Sequence, residues 1–328
     1  DVYKRQVYDC RHCHRINWAE SNLGRGCSFM PLVSTKYLVT TAYQNKFAVG
    51  AFNVGNSEFV KNIIAVAEEL ESPVILEIHP LEYELMGSAI FKYIREAALT
   101  ATIPVAIHLD HGRNMADVLR AIQDQANSVM IDSSGFSFEE NLRLTKQVVE
   151  VAHRVGVSVE AELGSIGNRK FTEDQNMGRI YTDSESAKQF VEETGVDDLA
   201  VAIGTVHGPY PSGENDIRID ILKKLNATLK MPLVLHGGSD NPDSKIREAI
   251  QNGISKVNIS TDIKVPFYHG IAKAVAENPN EYEPWIMTPG ADDSQKKVIA
   301  EKIRLFGSDH KLSLYLESPE KLTPYINS

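Results

Sequence analysis

Short apolar runs and longer segments of helical periodicity alternate along the chain. The runs are rich in β-branched residues, which is typical of parallel strands that are covered on both faces. Eight of them predict strands, at residues 47–54, 73–79, 104–110, 127–132, 157–162, 198–204, 232–236 and 255–260.

The segments between the runs repeat apolar residues three, four and seven positions apart, which indicates amphipathic helices. In the first segment Phe59, Ile63 and Val66 belong to such a series, and Ser57 stands where a capping residue is expected. Similar patterns occur at residues 114–117, 139–155, 184–194 and 243–252.

Eight strands that are each followed by a helix predict an α/β fold, a single (β/α)8 TIM barrel. A doubly wound open sheet is the alternative, but no linker or break in composition divides the chain, which favours closure into one domain. We place the barrel at residues 30–310, with a helical extension at its C-terminal end, and a C-terminal tail at residues 311–328.

Composition restricts the classes of partner. Hydrophobic residues make up 42% and charged residues 24% of the 328 positions, as in globular proteins. The net charge of −10 argues against nucleic acid, because phosphate backbones attract basic surfaces. No apolar stretch approaches the roughly 18 residues that span a bilayer, and no signal peptide opens the chain. We expect no membrane partner and a cytoplasmic location.

Residues 1–29 lack apolar periodicity and hold all three cysteines of the chain, at positions 10, 13 and 27. The run Cys-Arg-His-Cys-His matches the haem-attachment pattern, but that attachment requires export, and no export signal is present. Met30 directly precedes the first organised sequence. We predict that residues 1–29 are disordered and do not belong to the native protein.

Three histidines lie just past the ends of apolar runs, in short settings of polar residues and glycine: His111, His207 and His236. Three imidazoles with one open position are the ligand set of a catalytic zinc site, whereas structural zinc sites use four ligands. The histidines are far apart in the sequence, so the fold has to bring them together.

Further polar residues end the predicted strands. They are Asn53, Asp110, Asp132, Glu160, Glu162, Asn258, Ser260 and Thr261. Barrel enzymes build their active sites at this end of the barrel, so we expect one site there. The turns at 237–239 and 258–261 follow the last two strands, where glycine amides and a helix N-terminus favour phosphate.

Seven motifs at the strand ends carry a family resemblance. They are GAFNV (50–54), HLDHG (108–112), SVMIDSS (128–134), VEAELG (159–164), AIGTVHG (202–208), LVLHGGS (233–239) and KVNISTD (256–262). Together they resemble the class II, zinc-dependent ketose-bisphosphate aldolases, whose members cleave fructose or tagatose 1,6-bisphosphate. The resemblance covers about residues 30–310.

The resemblance implies a role for each matching residue. His111, His207 and His236 would bind the catalytic zinc ion. Asp110 would be the acid/base that exchanges a proton with the oxygen at the cleaved bond. The positions of Asp132 and Glu162 hold a second divalent ion in the family.

The resemblance also implies a dihydroxyacetone-phosphate site with a Na⁺ or K⁺ ion beside it. Its residues would be Gly208, Gly237, Gly238, Ser239, Asn258, Ile259, Ser260 and Thr261, and Asn53 would also contact the substrate. Glu173 resembles the mobile carboxylate that removes the proton at the nucleophilic carbon. The implied partners are dihydroxyacetone phosphate, an aldehyde, and further copies of the chain in a homodimer or homotetramer.

Two departures from the family pattern concern the substrate. Many relatives have a Gln-x-Ser-x-Gly run after the second strand, where this chain has Glu77-Ile-His79-Pro80-Leu-Glu82, which indicates an altered sugar. Asp240 stands where glycine is frequent, and an acid there would weaken a phosphate contact if it pointed inward. Fructose bisphosphate, tagatose bisphosphate and longer or acidic sugar phosphates all stay open.

Three alternatives to a zinc-dependent aldolase are distinguishable in the sequence. A Schiff-base aldolase needs an activated lysine at a strand end, and Lys256 precedes the end of its strand. A catalytically silent subunit would not need the full histidine set with Asp110. A metal-dependent barrel hydrolase would not need the paired phosphate turns.

Overall fold

The computed structural model describes residues 31–164, 167–168, 181–207 and 217–316, with residues 167, 168 and 207 described by their backbone only. Eight parallel strands in this part of the chain close into a barrel, which confirms the predicted TIM barrel over the open sheet. They are β1 (Val49–Asn53), β2 (Val74–Ile78), β3 (Val105–Gly112), β4 (Ser128–Ile131), β5 (Ser158–Leu163), β7 (Asp198–Val201), β9 (Leu233–Leu235) and β10 (Ile254–Ile259).

Around the barrel the strands follow the order β1, β10, β9, β7, β5, β4, β3, β2 and back to β1. Two further short strands, β6 (Gly167–Asn168) and β8 (Val206–His207), pair with each other beside the barrel. The barrel strand β7 is shorter than the strand predicted at residues 198–204, because the chain leaves the barrel after Val201.

Helices cover the outside of the barrel in the described part of the chain. In order they are α1 (Thr35–Asn45), α2 (Ser57–Glu69), α3 (Pro80–Met86), α4 (Ala89–Thr100), α5 (Met115–Gln123), α6 (Phe138–Arg154), α7 (Ser184–Thr194), α8 (Ile219–Leu229), α9 (Asp243–Gln251), α10 (Thr261–Glu277), α11 (Pro284–Met287), α12 (Pro289–Phe306) and α13 (Leu312–Leu316). None of the helices in the described ranges is long and apolar enough to cross a membrane.

The capping residue of α2 differs from the prediction. Asn56 is the N-cap, and its side-chain oxygen accepts a hydrogen bond from the backbone N–H of Phe59 at 3.1 Å. Ser57 is the first helical residue, and its hydroxyl donates to the Glu58 carboxylate at 2.9 Å. Asparagine and serine are both favourable caps, so the pattern alone did not separate the two adjacent positions.

Alternation along the strands sorts the barrel interior into layers, because every second side chain points inward. At the N-terminal end, Ala51, Ile75 and Ala106 form an apolar cluster with Leu38 of α1, which closes this end. Two residues further along the strands, the inward-pointing side chains are polar or charged. The last strand positions lie at the open C-terminal end of the barrel, which we call the mouth. The polar character of the interior therefore increases toward the C-terminal ends of the strands.

The C-terminal helices form the predicted extension and pack against the barrel helices. α12 contacts α10 and α2, and the Asn62 amide donates to Asp292 at 2.8 Å and to Gln295 at 2.9 Å. In α13, the buried Tyr315 donates from its hydroxyl to the Leu38 carbonyl at 3.1 Å. These contacts connect the last described helix to the first.

Candidate metal centre and active site

The C-terminal ends of the strands bring the predicted polar residues to one mouth. Asp110 and His111 lie in the last part of β3, Glu162 lies near the end of β5, and His236 directly follows β9. Asn53 ends β1, Asn258 lies one residue before the end of β10, and Asp132 directly follows β4. Except for His111 and Asp132, which are partly exposed, these side chains are buried.

Two histidines and an aspartate form a chain of close contacts at the centre of the mouth. The Nδ1 atom of His236 lies 3.0 Å from Nε2 of His111, and Nδ1 of His111 lies 2.9 Å from Oδ2 of Asp132. The two imidazole rings are nearly perpendicular, at 87°. Two ring nitrogens therefore face each other across a gap of hydrogen-bond length.

The donor set at this point suits a divalent cation. Asp110, His111 and His236 each offer a ligand atom, and these atoms lie within 4.8 Å of one another. A second group, made of His111, Asp132 and Glu162, meets the same limit. Imidazole nitrogens and carboxylate oxygens are the ligands that zinc accepts, so both groups fit a metal ion.

The backbone at His111 has a strained conformation. Its φ angle is +47°, in the left-handed region, and the register between β3 and β4 shifts between Leu109 and Gly112. Strain of this kind, in a residue other than glycine, is concentrated at functional sites. The irregularity lets the adjacent residues Asp110 and His111 both contribute ligand atoms to one group.

Electrostatics keep a proton on His111 in the metal-free protein. Burial lowers the pKa of its imidazolium, but the carboxylates of Asp110 and Asp132 outweigh burial and raise that pKa to about 10. A cation that binds at His111 must therefore displace a proton, as is general for histidine ligands.

Asp110 is held as an ionised carboxylate. Its Oδ2 atom accepts from the amide of Asn53 at 2.9 Å, and its Oδ1 atom accepts from the amide of Asn258 at 3.2 Å. Burial raises the pKa of the Asp110 carboxyl, but the charges of His111 and Lys256 outweigh it and the pKa falls well below its usual range. A buried, ionised and oriented carboxylate can accept a proton from a bound molecule.

The turns at the ends of β9 and β10 lie side by side. At Gly237, with a φ angle of +62°, a Cβ atom would overlap the Val206 carbonyl oxygen, so glycine is required for this close approach. The Asn241 amide donates to the carbonyls of Gly237 at 2.7 Å and Ser239 at 2.9 Å, which fixes the turn. The neighbouring α10 begins at Thr261, and its N-terminus provides a favourable environment for an anion.

Comparison with known proteins decides the family. The family model described as "Fructose-bisphosphate aldolase class-II" matches residues 33–311. A protein named fructose-bisphosphate aldolase from Geobacillus stearothermophilus is 43% identical over 291 residues, which are 86% of this chain and 99% of that protein. The chain belongs to the class II fructose-bisphosphate aldolase family. It is therefore a lyase.

Solved structures agree with this aldolase fold. The YdjI aldolase from Escherichia coli K12 is similar with a TM-score of 0.75 at 36% identity, over 86% of this chain and 99% of that one. A fructose-bisphosphate aldolase from Campylobacter jejuni gives a TM-score of 0.73 at 23% identity, over 87% of this chain and 98% of that one. The second likeness supports the fold alone.

Several of the sequence predictions concern residues outside the described part of the chain. They are Gly208, Glu173, residues 1–29 and the side chain of His207. The backbone of β8 is described, and Val206, the residue before His207, lies against Gly237, the residue after His236.

The residues that depart from the family pattern lie at known places around the mouth, and His79 lies beside the metal-binding groups. The His79 ring centroid lies 6.0 Å from that of His111, and Nδ1 of His79 accepts from the N–H of Leu81 at 3.2 Å to cap α3. Glu82 pairs with Lys264 of α10 at 2.5 Å. The exposed Asp240 donates its backbone N–H to the Asp262 carboxylate at 3.4 Å, so its main chain is directed toward α10.

A buried charged layer lies under the mouth, and of its members Glu160 alone was among the strand-end residues expected at the site. Glu160 and Lys256 form an ion pair of 2.7 Å with no exposed surface, and Glu77 lies 3.4 Å from the same ammonium. Burial lowers the pKa of Lys256, but Glu160 and Glu77 outweigh it and raise the pKa above its usual range. A Schiff-base lysine needs the opposite shift, so Lys256 does not suit that chemistry.

Proposed function

We propose that this aldolase cleaves a phosphorylated ketose to dihydroxyacetone phosphate and an aldehyde, and that it uses zinc to do so. The observation that carries the proposal is the group of Asp110, His111 and His236, whose ligand atoms lie within 4.8 Å of one another at the barrel mouth. It combines metal ligands with an ionised carboxylate in one place.

His111, His236 and His207 would hold the zinc ion. The first two are supported by the 3.0 Å approach of their ring nitrogens, and the third by the approach of Val206 to Gly237. The bound ion would act as a Lewis acid that stabilises negative charge on the oxygens of the enediolate. Asp132 and Glu162 would hold a second divalent ion.

Asp110 would carry the proton transfer at the cleaved bond. Its carboxylate takes the proton of the hydroxyl on the carbon that becomes the aldehyde, and the electrons of the breaking carbon–carbon bond pass to the dihydroxyacetone-phosphate fragment. The amides of Asn53 and Asn258 orient both oxygens of Asp110 for this step. Glu173 would then return a proton to the nucleophilic carbon of that fragment.

The adjacent turns would bind the phosphate of the dihydroxyacetone-phosphate half, with Gly208 and a Na⁺ or K⁺ ion completing this site. Support comes from the fixed turn around Gly237, Gly238 and Ser239 and from the start of α10 beside Asn258, Ile259, Ser260 and Thr261. Asn53, which binds Asp110, faces the same mouth.

An assay of aldehyde partners tests this function. We expect the protein to condense dihydroxyacetone phosphate with a phosphorylated aldehyde from a panel of three- and four-carbon compounds. Unphosphorylated dihydroxyacetone, the matched control, should react at least about tenfold more slowly, because each lost charge-assisted contact costs about 1.5 kcal/mol or more. Equal rates for the two donors would contradict the phosphate site, and no condensation with any aldehyde would contradict the function.

The chain would act as a homo-oligomer, either a homodimer or a homotetramer. The support is a set of exposed apolar side chains along α10 and the segment before α12, namely Val265, Tyr268, Tyr282, Trp285 and Ile286. Large apolar side chains that are exposed close together in the sequence are candidates for such an interface. Sedimentation velocity measures the assembly state directly.

A further inference from the structure

The charged layer below the mouth lies one inward-facing position under the proposed zinc site. Glu160 precedes Glu162 by two residues on β5, and Lys256 precedes Asn258 by two residues on β10. Side chains two positions apart on a strand share a face, so this layer directly supports the site. Glu160 and Lys256 have no exposed surface, and a buried ammonium is tolerated only with close acceptors.

Glu160 connects this layer to a proposed zinc ligand. Its Oε2 atom accepts from Nζ of Lys256 at 2.7 Å, and its Oε1 atom lies 2.7 Å from Nε2 of His236. An ionised carboxylate only accepts hydrogen bonds, so Nε2 of His236 carries a proton. The other ring nitrogen, Nδ1, is then the one with a lone pair, and it is the atom that lies 3.0 Å from His111.

Lys256 determines which group of residue 160 faces the histidine. An ammonium is a donor without acceptor capacity, so it always takes an oxygen of its partner. With glutamate at position 160, a second oxygen is left for His236, and the imidazole presents Nδ1 to the metal-binding groups. Glu77 lies 3.4 Å from the same ammonium. In the described part of the chain Glu77 makes no hydrogen bond to His236, so Glu160 is the carboxylate that links Lys256 to this ring.

We propose that Lys256 is a positioning residue, which through Glu160 fixes the ring-proton position of His236 and thereby its ability to bind zinc. The inference rests on the proposed zinc function. It concerns which ring nitrogen of His236 carries the proton. This effect is separate from the contribution of the ion pair to the free energy of folding. Partners of metal-bound histidines typically change metal affinity by about 10–100-fold when they are replaced.

Substitution of Glu160 by glutamine distinguishes positioning from simple stabilisation. In Glu160→Gln, Lys256 takes the only side-chain oxygen, so the amide NH₂ turns toward Nε2 of His236. That nitrogen must then accept, and the ring proton moves to Nδ1, which blocks the metal. In the double variant Lys256→Met/Glu160→Gln the ammonium is gone, and the amide oxygen can turn back to Nε2–H.

The experiment measures the zinc dissociation constant by chelator competition and the ring-proton position of His236 by ¹⁵N NMR of the metal-free protein. The NMR spectra are recorded at a pH above the pKa of His111, where its imidazolium no longer donates to Nδ1 of His236. We expect Glu160→Gln to bind zinc about 10–100-fold more weakly and to carry its proton on Nδ1. The double variant should bind more tightly than Glu160→Gln and return the proton to Nε2. Glu77→Gln, the matched control on the same ammonium, should keep the ring proton of His236 on Nε2, because Glu160 still offers an oxygen to that nitrogen.

Three results would overturn the inference: wild-type affinity in Glu160→Gln, a double variant that binds no more tightly than Glu160→Gln, or an unchanged proton position in Glu160→Gln. The single variant Lys256→Met is not required, because the comparison of Glu160→Gln with the double variant tests the role of Lys256 by itself. If the proposed zinc function is wrong, the wild-type protein binds no zinc. The ring-proton position of His236, measured by NMR in the metal-free protein, still tests the role of Lys256 in that case.

Discussion

Replacing Asp110 with asparagine is expected to slow carbon–carbon cleavage by roughly 10²–10⁴-fold, the usual contribution of a positioned acid or base. The amide keeps the size of the side chain but cannot take a proton. Bound zinc should stay near the wild-type level, because the proposed histidine ligands are unchanged. Cleavage rate and metal content, measured on the same preparation, check both parts of the expectation.

Exchange of the α-proton of dihydroxyacetone phosphate with solvent separates the two proposed proton transfers. Asp110→Asn should impair this exchange much less than cleavage, because Glu173 is proposed to act there. Glu173→Gln is the matched control and should show the reverse pattern. If Asp110→Asn loses its zinc, or loses both activities equally, Asp110 supports the structure of the site and does not transfer the proton.

The variant His207→Ala is expected to lose most of its bound zinc and nearly all cleavage activity. Two remaining histidines leave too few protein ligands for a catalytic zinc site, which has three. Metal analysis after dialysis against metal-free buffer measures the loss. The effect should match that of His111→Ala, whose side chain belongs to the described group of ligand atoms.

A histidine outside the mouth provides the control for this variant. His153 of α6 contacts Asp197 at 2.9 Å in the outer layer, so His153→Ala should keep its full metal content. Wild-type zinc content in His207→Ala would contradict the proposed ligand set and would favour a carboxylate such as Asp110 or Glu162 as the third ligand.

Much of the fold follows from local patterns that need no tertiary information. Apolar runs of strand length, alternating with helical periodicity, were sufficient for the closed barrel, because each repeat has one face to bury. Two details were not predictable in the same way. The paired helices α3 and α4 after β2 interrupt the simple repeat, and the choice between Asn56 and Ser57 as N-cap depends on where the backbone leaves its extended conformation.

The candidate site was predictable where its residues lie at strand ends. Asp110, His111 and His236 could be placed at one mouth, because parallel strands in a barrel share one C-terminal face. The link between Glu160 and Lys256 could not be predicted, since 96 positions separate the two in the sequence and the pair forms only when β5 and β10 close the barrel. The available signals were the place of Glu160 among the strand-end residues and the position of Lys256 within an apolar run, two residues before Asn258.

Removal and return of the metal tests the central claim most directly. After treatment with a chelator and dialysis, the protein should cleave no sugar phosphate, and added zinc or cobalt should restore cleavage in proportion to the metal bound. Borohydride added with dihydroxyacetone phosphate should trap no adduct. Cleavage by the metal-free protein, or a covalent adduct on a lysine, would contradict the account.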